Sequence, residues 1–320
     1  MPGFESLHIL KLSFIFIMKR ILVVSYSQSG QLNEIIDNFL KPFESVTIER
    51  VDIIPEKEFV FPWSSTSFFD TMPDTVLEKK INILPFVSQF KVYDLIIFGY
   101  QPWFLSPSLP ATALLLDPEF LAVLNNTPVV TVIGARNMWI NSQKRVVQRI
   151  NDAGGRIVAN IPFIDRHQNL ISALSILHWM LTAKKNRKWG ILPLPGVSDK
   201  DIKNASILGL PVHKALQKGE YNGLQQRILE SRLIDIHPSV MFIEMRAKRL
   251  FVIWANLIVR KGTNEKKRAF WVALYKYYLF VALFFVSPIV LFIYNFLIKP
   301  LTGRSVRKNK ELFLYLGIVR

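Results

Sequence analysis

Residues 19–38 read KRILVVSYSQSGQLNEIIDN, and this stretch decides the fold. Ile21 to Val24 form an apolar run that is typical of a strand buried on both faces of a parallel sheet. A serine-rich loop follows, and beyond it Leu32, Ile35 and Ile36 recur at helical spacing. The stretch therefore predicts a strand, a loop and a helix whose first backbone N–H groups point into the loop and favour an anion there.

The loop SYSQSGQ, residues 25–31, resembles the phosphate loop of flavodoxin-like proteins, which holds the single phosphate of FMN. That loop has the pattern Ser/Thr, any residue, Ser/Thr, Gly, any residue, Thr, and Ser27, Ser29 and Gly30 match it. Leu32 replaces the last hydroxyl, so the expected contacts are the backbone groups and the remaining serines. The residues expected to hold the phosphate are Ser27, Gln28, Ser29, Gly30 and Gln31. An ordinary turn with Ser27 or Ser29 as helix cap is the alternative.

Composition and charge narrow the possible functions. The 320 residues include no cysteine, which excludes disulfides, iron–sulfur clusters and a cysteine nucleophile, and the five histidines show no metal-ligand spacing. Residues 1–183 carry 15 Lys or Arg against 16 Asp or Glu, whereas residues 184–320 carry 25 against 8. Because the basic part is also the most apolar and contains no nucleic-acid-binding motif, an anionic membrane surface is the expected partner rather than nucleic acid.

The alternation of strand and helix continues along the chain. Apolar runs predict further strands at 46–54, 93–98, 128–133 and 156–163, and helices at 74–87, 109–124, 142–153 and 168–184. This alternation predicts an α/β fold with a doubly wound, five-stranded parallel sheet, and the flavodoxin-like resemblance implies strand order 2-1-3-4-5. Ligands of such sheets bind beyond the carboxyl ends of the strands.

Three more loops are expected at that edge. The loop after the third strand contains Gln101, Pro102, Trp103 and Phe104, and the loop after the fourth contains Gly134, Ala135, Arg136 and Asn137 and continues to Trp139. In flavodoxin-like proteins an aromatic residue after the third strand often covers the isoalloxazine ring, so Trp103 and the second loop are expected to wall it. His167 follows the fifth strand and is the candidate acid–base residue, with a structural role as the alternative.

The sequence changes character at Lys184, where a basic run and a proline-rich connector begin. We place a boundary there, between a flavodoxin-like FMN-binding domain at 18–184 and a mainly helical, basic and apolar extension at 185–320. Residues 1–17 form an N-terminal extension that lies upstream of a second candidate start, Met18. Residues 240–259 are either an interfacial helix or a helix docked on the first domain.

Residues 277–298 form an uncharged apolar segment of 22 residues, long enough to cross a membrane. Pro288 lies at its centre and basic residues flank both ends, which fits a kinked transmembrane helix, a re-entrant hairpin or an in-plane anchor. The expected location is the cytoplasmic face of the inner membrane, through peripheral contact or a single C-terminal segment. A buried arm in a homodimer is the alternative.

The whole chain, from MKRILVVSYSQSGQL through GYQPWF and GARNMW to the apolar C-terminal arm, resembles the dialkylresorcinol condensing enzyme family. Members of this family accompany the ketosynthase that makes the lipidic phenols of flexirubin-type pigments. Ketosynthase condensation needs a cysteine nucleophile, which this chain lacks. The resemblance therefore implies a flavin-dependent oxidoreductase that aromatises a 2,5-dialkylcyclohexane-1,3-dione to a resorcinol, with a lipidic substrate and a ketosynthase partner.

Two other functions are compatible with the sequence. One is a membrane-associated NAD(P)H:quinone-type reductase, which would use the same FMN site with NAD(P)H as electron partner. The other is a non-catalytic tether or electron carrier for the ketosynthase. The neutral first domain lacks the acidic clusters usual in an electron carrier, which disfavours the last function.

Overall fold

A five-stranded parallel sheet forms the centre of the computed structural model, which describes residues 18–318. Its strands are β1 (Lys19–Ser25), β2 (Val46–Asp52), β3 (Leu95–Tyr100), β4 (Pro128–Ala135) and β5 (Arg156–Ile164). They are ordered β2-β1-β3-β4-β5, and every neighbouring pair is parallel. This is the flavodoxin-like topology, as predicted. The predicted N-terminal extension at 1–17 lies outside the described residues.

The strands follow the burial that their sequences predict. All six residues of β3 are buried, as its continuous apolar run requires, whereas β2 at the sheet edge has exposed and half-buried positions. The end of β3 continues into a small antiparallel hairpin, in which Pro102–Trp103 pairs with Ser106–Pro107. We call this element the Trp103 hairpin.

Twelve numbered helices, among the described residues, surround the sheet. They are α1 (Gln31–Leu40), α2 (Ser65–Val76), α3 (Leu109–Leu114), α4 (Pro118–Leu124), α5 (Ile140–Asp152), α6 (Asn169–Thr182), α7 (Asp199–Lys203), α8 (Ala205–Lys218), α9 (Leu224–Glu230), α10 (Pro238–Lys261), α11 (Glu265–Leu301) and α12 (Gly303–Leu314). Two stretches of α11, Ala282–Val286 and Tyr294–Ile298, are wound as π-helix.

The helix predicted at 74–87 is wrong. A helix forms earlier in the chain, because Ser64 Oγ accepts a hydrogen bond from Ser67 N–H at 3.0 Å and caps α2. Pro85 lies beyond α2 in an irregular segment whose Ile83 pairs with Pro55. The buried side chains of α2 pack against α10 and α11. The apolar residues that suggested one helix at 74–87 are therefore divided between the end of α2 and the irregular segment that follows it.

The boundary predicted after residue 184 does not coincide with a break in the hydrophobic core. Leu208 and Leu216 of α8 pack in the same cluster as Ile21 and Leu95 of the sheet, and α8 lies against α1. The predicted closing helix forms as α6, but the buried residues of α6 are only Ser172, Ser175 and Trp179. The sheet face beside α1 is therefore covered by the segment after residue 184.

Candidate functional site

The first turn of α1 presents unpaired backbone donors at the carboxyl end of β1. Gly30 is the N-cap in the left-handed region, with φ 80° and ψ −21°, and its carbonyl accepts from the N–H groups of Asn33 and Glu34. Ser27 Oγ accepts from Leu32 N–H at 3.2 Å. Within residues 18–318, the N–H groups of Ser29, Gly30 and Gln31 have no protein acceptor. A helix N-terminus with free N–H groups is suited to an anion.

Two glutamines of the predicted phosphate loop hold neighbouring segments in place. Gln28 N–H donates to Gln101 Oε1 at 2.8 Å, and Gln28 Nε2 donates to Phe59 O at 2.6 Å. The Gln31 amide exchanges two hydrogen bonds with the backbone of Val197, at 2.9 and 3.1 Å. Both side chains are therefore engaged within the protein, and Gln31 offers an anion its backbone N–H alone.

Trp103 lies among three aromatic side chains. Its ring makes edge-to-face contacts with Tyr26, Phe59 and Trp63, at centroid distances of 5.9, 5.1 and 5.3 Å. Trp103 itself is half-buried, so part of its surface stays open beside the β1 loop. Phe104, in the turn of the Trp103 hairpin, contacts Phe68 and Phe251 instead, and therefore belongs to the packing between α2 and α10.

The loop after β4 reaches both neighbouring loops. Gly134 packs against α1, since a Cβ on this residue would lie 3.4 Å from Leu32 Cδ1. Leu32, which replaces the hydroxyl residue of the phosphate-loop pattern, thus packs beneath this loop. Arg136 and Asn137 both donate to Asn169 at the start of α6. Ala135 is buried as the last residue of β4, and Trp139 is buried in the core beneath the loop. Trp139 is therefore placed to support the loop rather than to wall a ligand.

His167 is held by a buried carboxylate. Its Nδ1 lies 2.6 Å from Asp165 Oδ1, and Asp165 Oδ2 accepts from Ser172 Oγ at 2.7 Å. The Asp165 side chain is fully buried, whereas the His167 side chain is 42% exposed. Asp165 N–H also donates to the carbonyl of Arg136 at 2.7 Å, which joins the β5 loop to the β4 loop. Because the carboxylate occupies Nδ1, the tautomer with a free Nε2 is favoured.

A second polar cluster near this edge was missed by the sequence analysis. Glu244 and Lys248 lie one turn apart on α10, where Glu244 Oε1 accepts from Asn141 N–H at 2.7 Å and Lys248 Nζ donates to Ser106 Oγ at 2.5 Å. Burial raises the pKa of Glu244 to about 7 and lowers the pKa of Lys248 to about 8. Glu and Lys four residues apart usually mark an exposed helix face, so the sequence carried no signal of burial.

We expect Glu244 to make stability depend on pH. Its carboxyl has an ordinary pKa of 4.5 and a raised pKa of about 7 in the folded chain. The folded state thus binds this proton more tightly than the unfolded state does. The stability that the proton contributes is therefore fully present below pH 4.5 and is lost as pH rises through about 7. Glu244→Gln keeps an acceptor for Asn141 and is expected to raise the free energy of unfolding at alkaline pH by roughly 1–3 kcal/mol, measured by urea denaturation.

The matched control is Glu34→Gln on the exposed side of α1, which is expected to show no such gain. An equal effect of Glu244→Gln at acidic and alkaline pH would contradict the assignment.

No protein-family model matches the chain, and the search of curated proteins finds no match. Solved structures do align with it. An FMN-complexed flavoprotein from Lactobacillus acidophilus is 16% identical with a TM-score of 0.37, covering 45% of this chain and 93% of its own. A flavodoxin from the domain Archaea is 13% identical with a TM-score of 0.34, and the alignment covers 62% of this chain and 99% of the flavodoxin. A flavone reductase is 12% identical with a TM-score of 0.33, and the alignment covers 62% of this chain and 63% of the reductase. Similarity at this level says nothing of function.

Proposed function

We propose that the chain is an FMN-dependent oxidoreductase that aromatises a 2,5-dialkylcyclohexane-1,3-dione to a resorcinol in dialkylresorcinol biosynthesis, with a ketosynthase as partner. The observation that carries the flavin part is the set of three free backbone N–H groups at Ser29, Gly30 and Gln31, at the N-terminus of α1. A phosphate there would meet aligned donors and the positive end of the helix dipole.

The residues around these donors fit the rest of the cofactor. Asn137 Oδ1 is a buried acceptor without a donor among the described residues, and it suits the imide N–H of a flavin ring. Gln101, Pro102 and Trp103 lie beside the phosphate loop and would flank the ring, together with Gly134, Ala135 and Arg136. Burial lowers the pKa of Arg136 to about 10, which leaves its guanidinium charged at neutral pH.

Aromatisation of the dione removes one proton and one hydride. Bound FMN supplies the hydride acceptor. His167 Nε2 would take the proton from the carbon beside the carbonyl, because Asp165 holds the opposite ring nitrogen and stabilises the imidazolium that forms. Enolisation of the remaining ketone completes the aromatic ring. No cysteine is needed in this sequence of steps, in agreement with the composition.

The test begins with the absorbance spectrum of the purified full-length chain, which we expect to be that of a flavoprotein. A dialkyl cyclohexanedione added without oxygen is then expected to bleach the flavin and to yield the resorcinol in equal amount. A colourless protein that cannot be loaded with FMN would contradict the proposal. Bleaching by NAD(P)H, with no reaction of the dione, would instead identify the quinone-type reductase. Flavin inert to both reagents would favour a tether or electron carrier.

A further inference from the structure

In the second half of α11, polar side chains face the protein and apolar side chains face outward, the reverse of a helix on a soluble protein. No charged residue occurs between Tyr277 and Ile298, and the polar Ser287 and Tyr294 are buried against the protein. The opposite side is an exposed stripe of large apolar side chains at helical spacing, which we call the apolar stripe: Phe280, Phe285, Ile289, Phe292, Phe296 and Leu301. Such a continuous exposed stripe marks a surface for an apolar partner.

The helix lies along α10 over most of its length, in the antiparallel direction. Tyr275 and Tyr278 contact Trp254 near the end of α10, whereas Tyr294 stacks on Phe242 near its start at a centroid distance of 4.0 Å. Ser239 Oγ donates to Asn295 Oδ1 at 2.9 Å in the same region. The uncharged segment is thus fixed along its inner side by contacts at both ends.

These contacts disfavour a membrane-spanning helix. α10 carries Glu244, Arg246, Lys248 and Arg249 at its middle and is bonded to α5 through Asn141. A span of about 30 Å of hydrocarbon would draw these charges into the bilayer or break the pairing of α10 and α11. Although α11 is the one helix among the described residues long and apolar enough to cross, it pairs with α10 along one side.

We propose that α11 docks flat on an anionic bilayer surface, with the apolar stripe in the boundary between headgroups and acyl chains. The segment from 277 to 298 is roughly 33 Å long at 1.5 Å per residue, and in this mode its whole length contacts lipid.

The charges around the stripe favour lipid over a second copy of the chain. Exposed basic residues lie at both ends of the uncharged segment and on the flanking turns: Lys266, Lys267, Lys276, Lys299, Arg304, Arg307 and Lys308. Anionic headgroups would neutralise these cations, whereas two copies meeting at the stripe would bring the same charges together. Membrane binding of this kind depends on anionic lipid and weakens with salt.

The start of the uncharged segment lies near the candidate site. Lys276, directly before the segment, donates from Nζ to Ser65 Oγ at 3.1 Å, and two residues before Ser65, Trp63 contacts Trp103. A substrate with two alkyl chains would therefore reach the aromatic wall from the lipid side, a consequence that rests on the proposed function. The docking itself does not depend on the flavin chemistry, so its test is independent.

The absence of cysteine makes single introduced cysteines unique labels. We would attach an environment-sensitive fluorophore to Phe285→Cys, Ile289→Cys or Phe296→Cys in the full-length chain and add vesicles of equal phosphatidylglycerol and phosphatidylcholine. Quenching by lipids that carry spin labels at different depths is expected to place all three positions at one shallow depth. A depth that peaks at position 289 would mean a re-entrant hairpin, and a depth that changes steadily would mean a span; either result overturns the proposal.

Binding itself is tested with Ile289→Asp combined with Phe292→Asp. Because both side chains point outward, the variant is expected to fold normally while its partition onto the same vesicles falls by about 100-fold. The matched control is Ile207→Asp, which removes a half-exposed isoleucine from α8 and is expected to bind as the parent chain does. A parent chain that does not bind these vesicles and is dimeric in solution would overturn the proposal in favour of a dimer arm.

Discussion

We expect the Gly30→Val variant to lose FMN affinity by more than about 100-fold while keeping its fold, since two or more charge-assisted backbone hydrogen bonds would be lost. Gly30 has φ 80°, a region that a β-branched residue avoids. Space is not the obstacle, because a Cβ at Gly30 would meet no atom within 4 Å. The backbone would instead rotate, and the N–H groups of Gly30 and Gln31 would turn away from the phosphate position.

A matched control separates this effect from strain alone. Gly219 has φ 69° at the end of α8, and a Cβ there also meets no atom within 4 Å. We expect Gly219→Val to lower the free energy of unfolding by a similar amount and to leave FMN affinity unchanged. Both quantities are measured on the apo-protein, by urea denaturation and by quenching of FMN fluorescence. Full FMN affinity in Gly30→Val would remove the phosphate from this loop.

The second large effect is expected at the histidine. His167→Ala is expected to lower the turnover of the dione by roughly 10²–10⁴, the usual contribution of a positioned base, with flavin content unchanged. Nε2 of the part-exposed His167 side chain is the group that would take the proton, and Asp165 orients the ring through the 2.6 Å contact at Nδ1. Asp165→Asn is therefore expected to lower turnover as well, by favouring the wrong tautomer.

Flavin content and turnover together distinguish a base from a structural histidine. A base is expected to lose turnover in His167→Ala while the flavin stays bound and the chain stays folded, whereas loss of a structural histidine would also release the flavin. His178→Ala serves as the control, since His178 lies on the neighbouring helix α6 and its Nε2 lies 3.1 Å from Oδ1 of the exposed Asn186. Unchanged turnover in His167→Ala, or loss of flavin together with activity, would remove His167 from the catalytic role.

Local sequence determined the sheet and the loops at its edge. The apolar runs that became β1, β3 and β4 are buried on both faces, a property readable from four to six consecutive side chains. The βαβ pattern predicts the parallel direction of the strands, and the flavodoxin-like resemblance implies their order. The convergence of the loops at Ser27, Gln101 and Gly134 was therefore predictable as well.

Partners distant in sequence decided what the individual side chains do. Gln31 was predicted as a phosphate ligand, but its side-chain amide is hydrogen-bonded to the backbone of Val197, 166 residues further along the chain. His167 looked like a lone histidine, and its orientation comes from a carboxylate that Ser172 also holds. A hydrogen-bond partner is selected by three-dimensional proximity, which local spacing does not encode.

The helices that lie outside the βαβ pattern were the least predictable. The sequence by itself determined that the uncharged segment of 22 residues is apolar enough to be excluded from water. Whether such a helix crosses a bilayer or lies along its surface depends on what its other side contacts. Only the tertiary structure supplied those contacts for α11, because Tyr294 stacks on Phe242 and α10 holds one side of the helix against the folded protein, which leaves the apolar stripe facing outward.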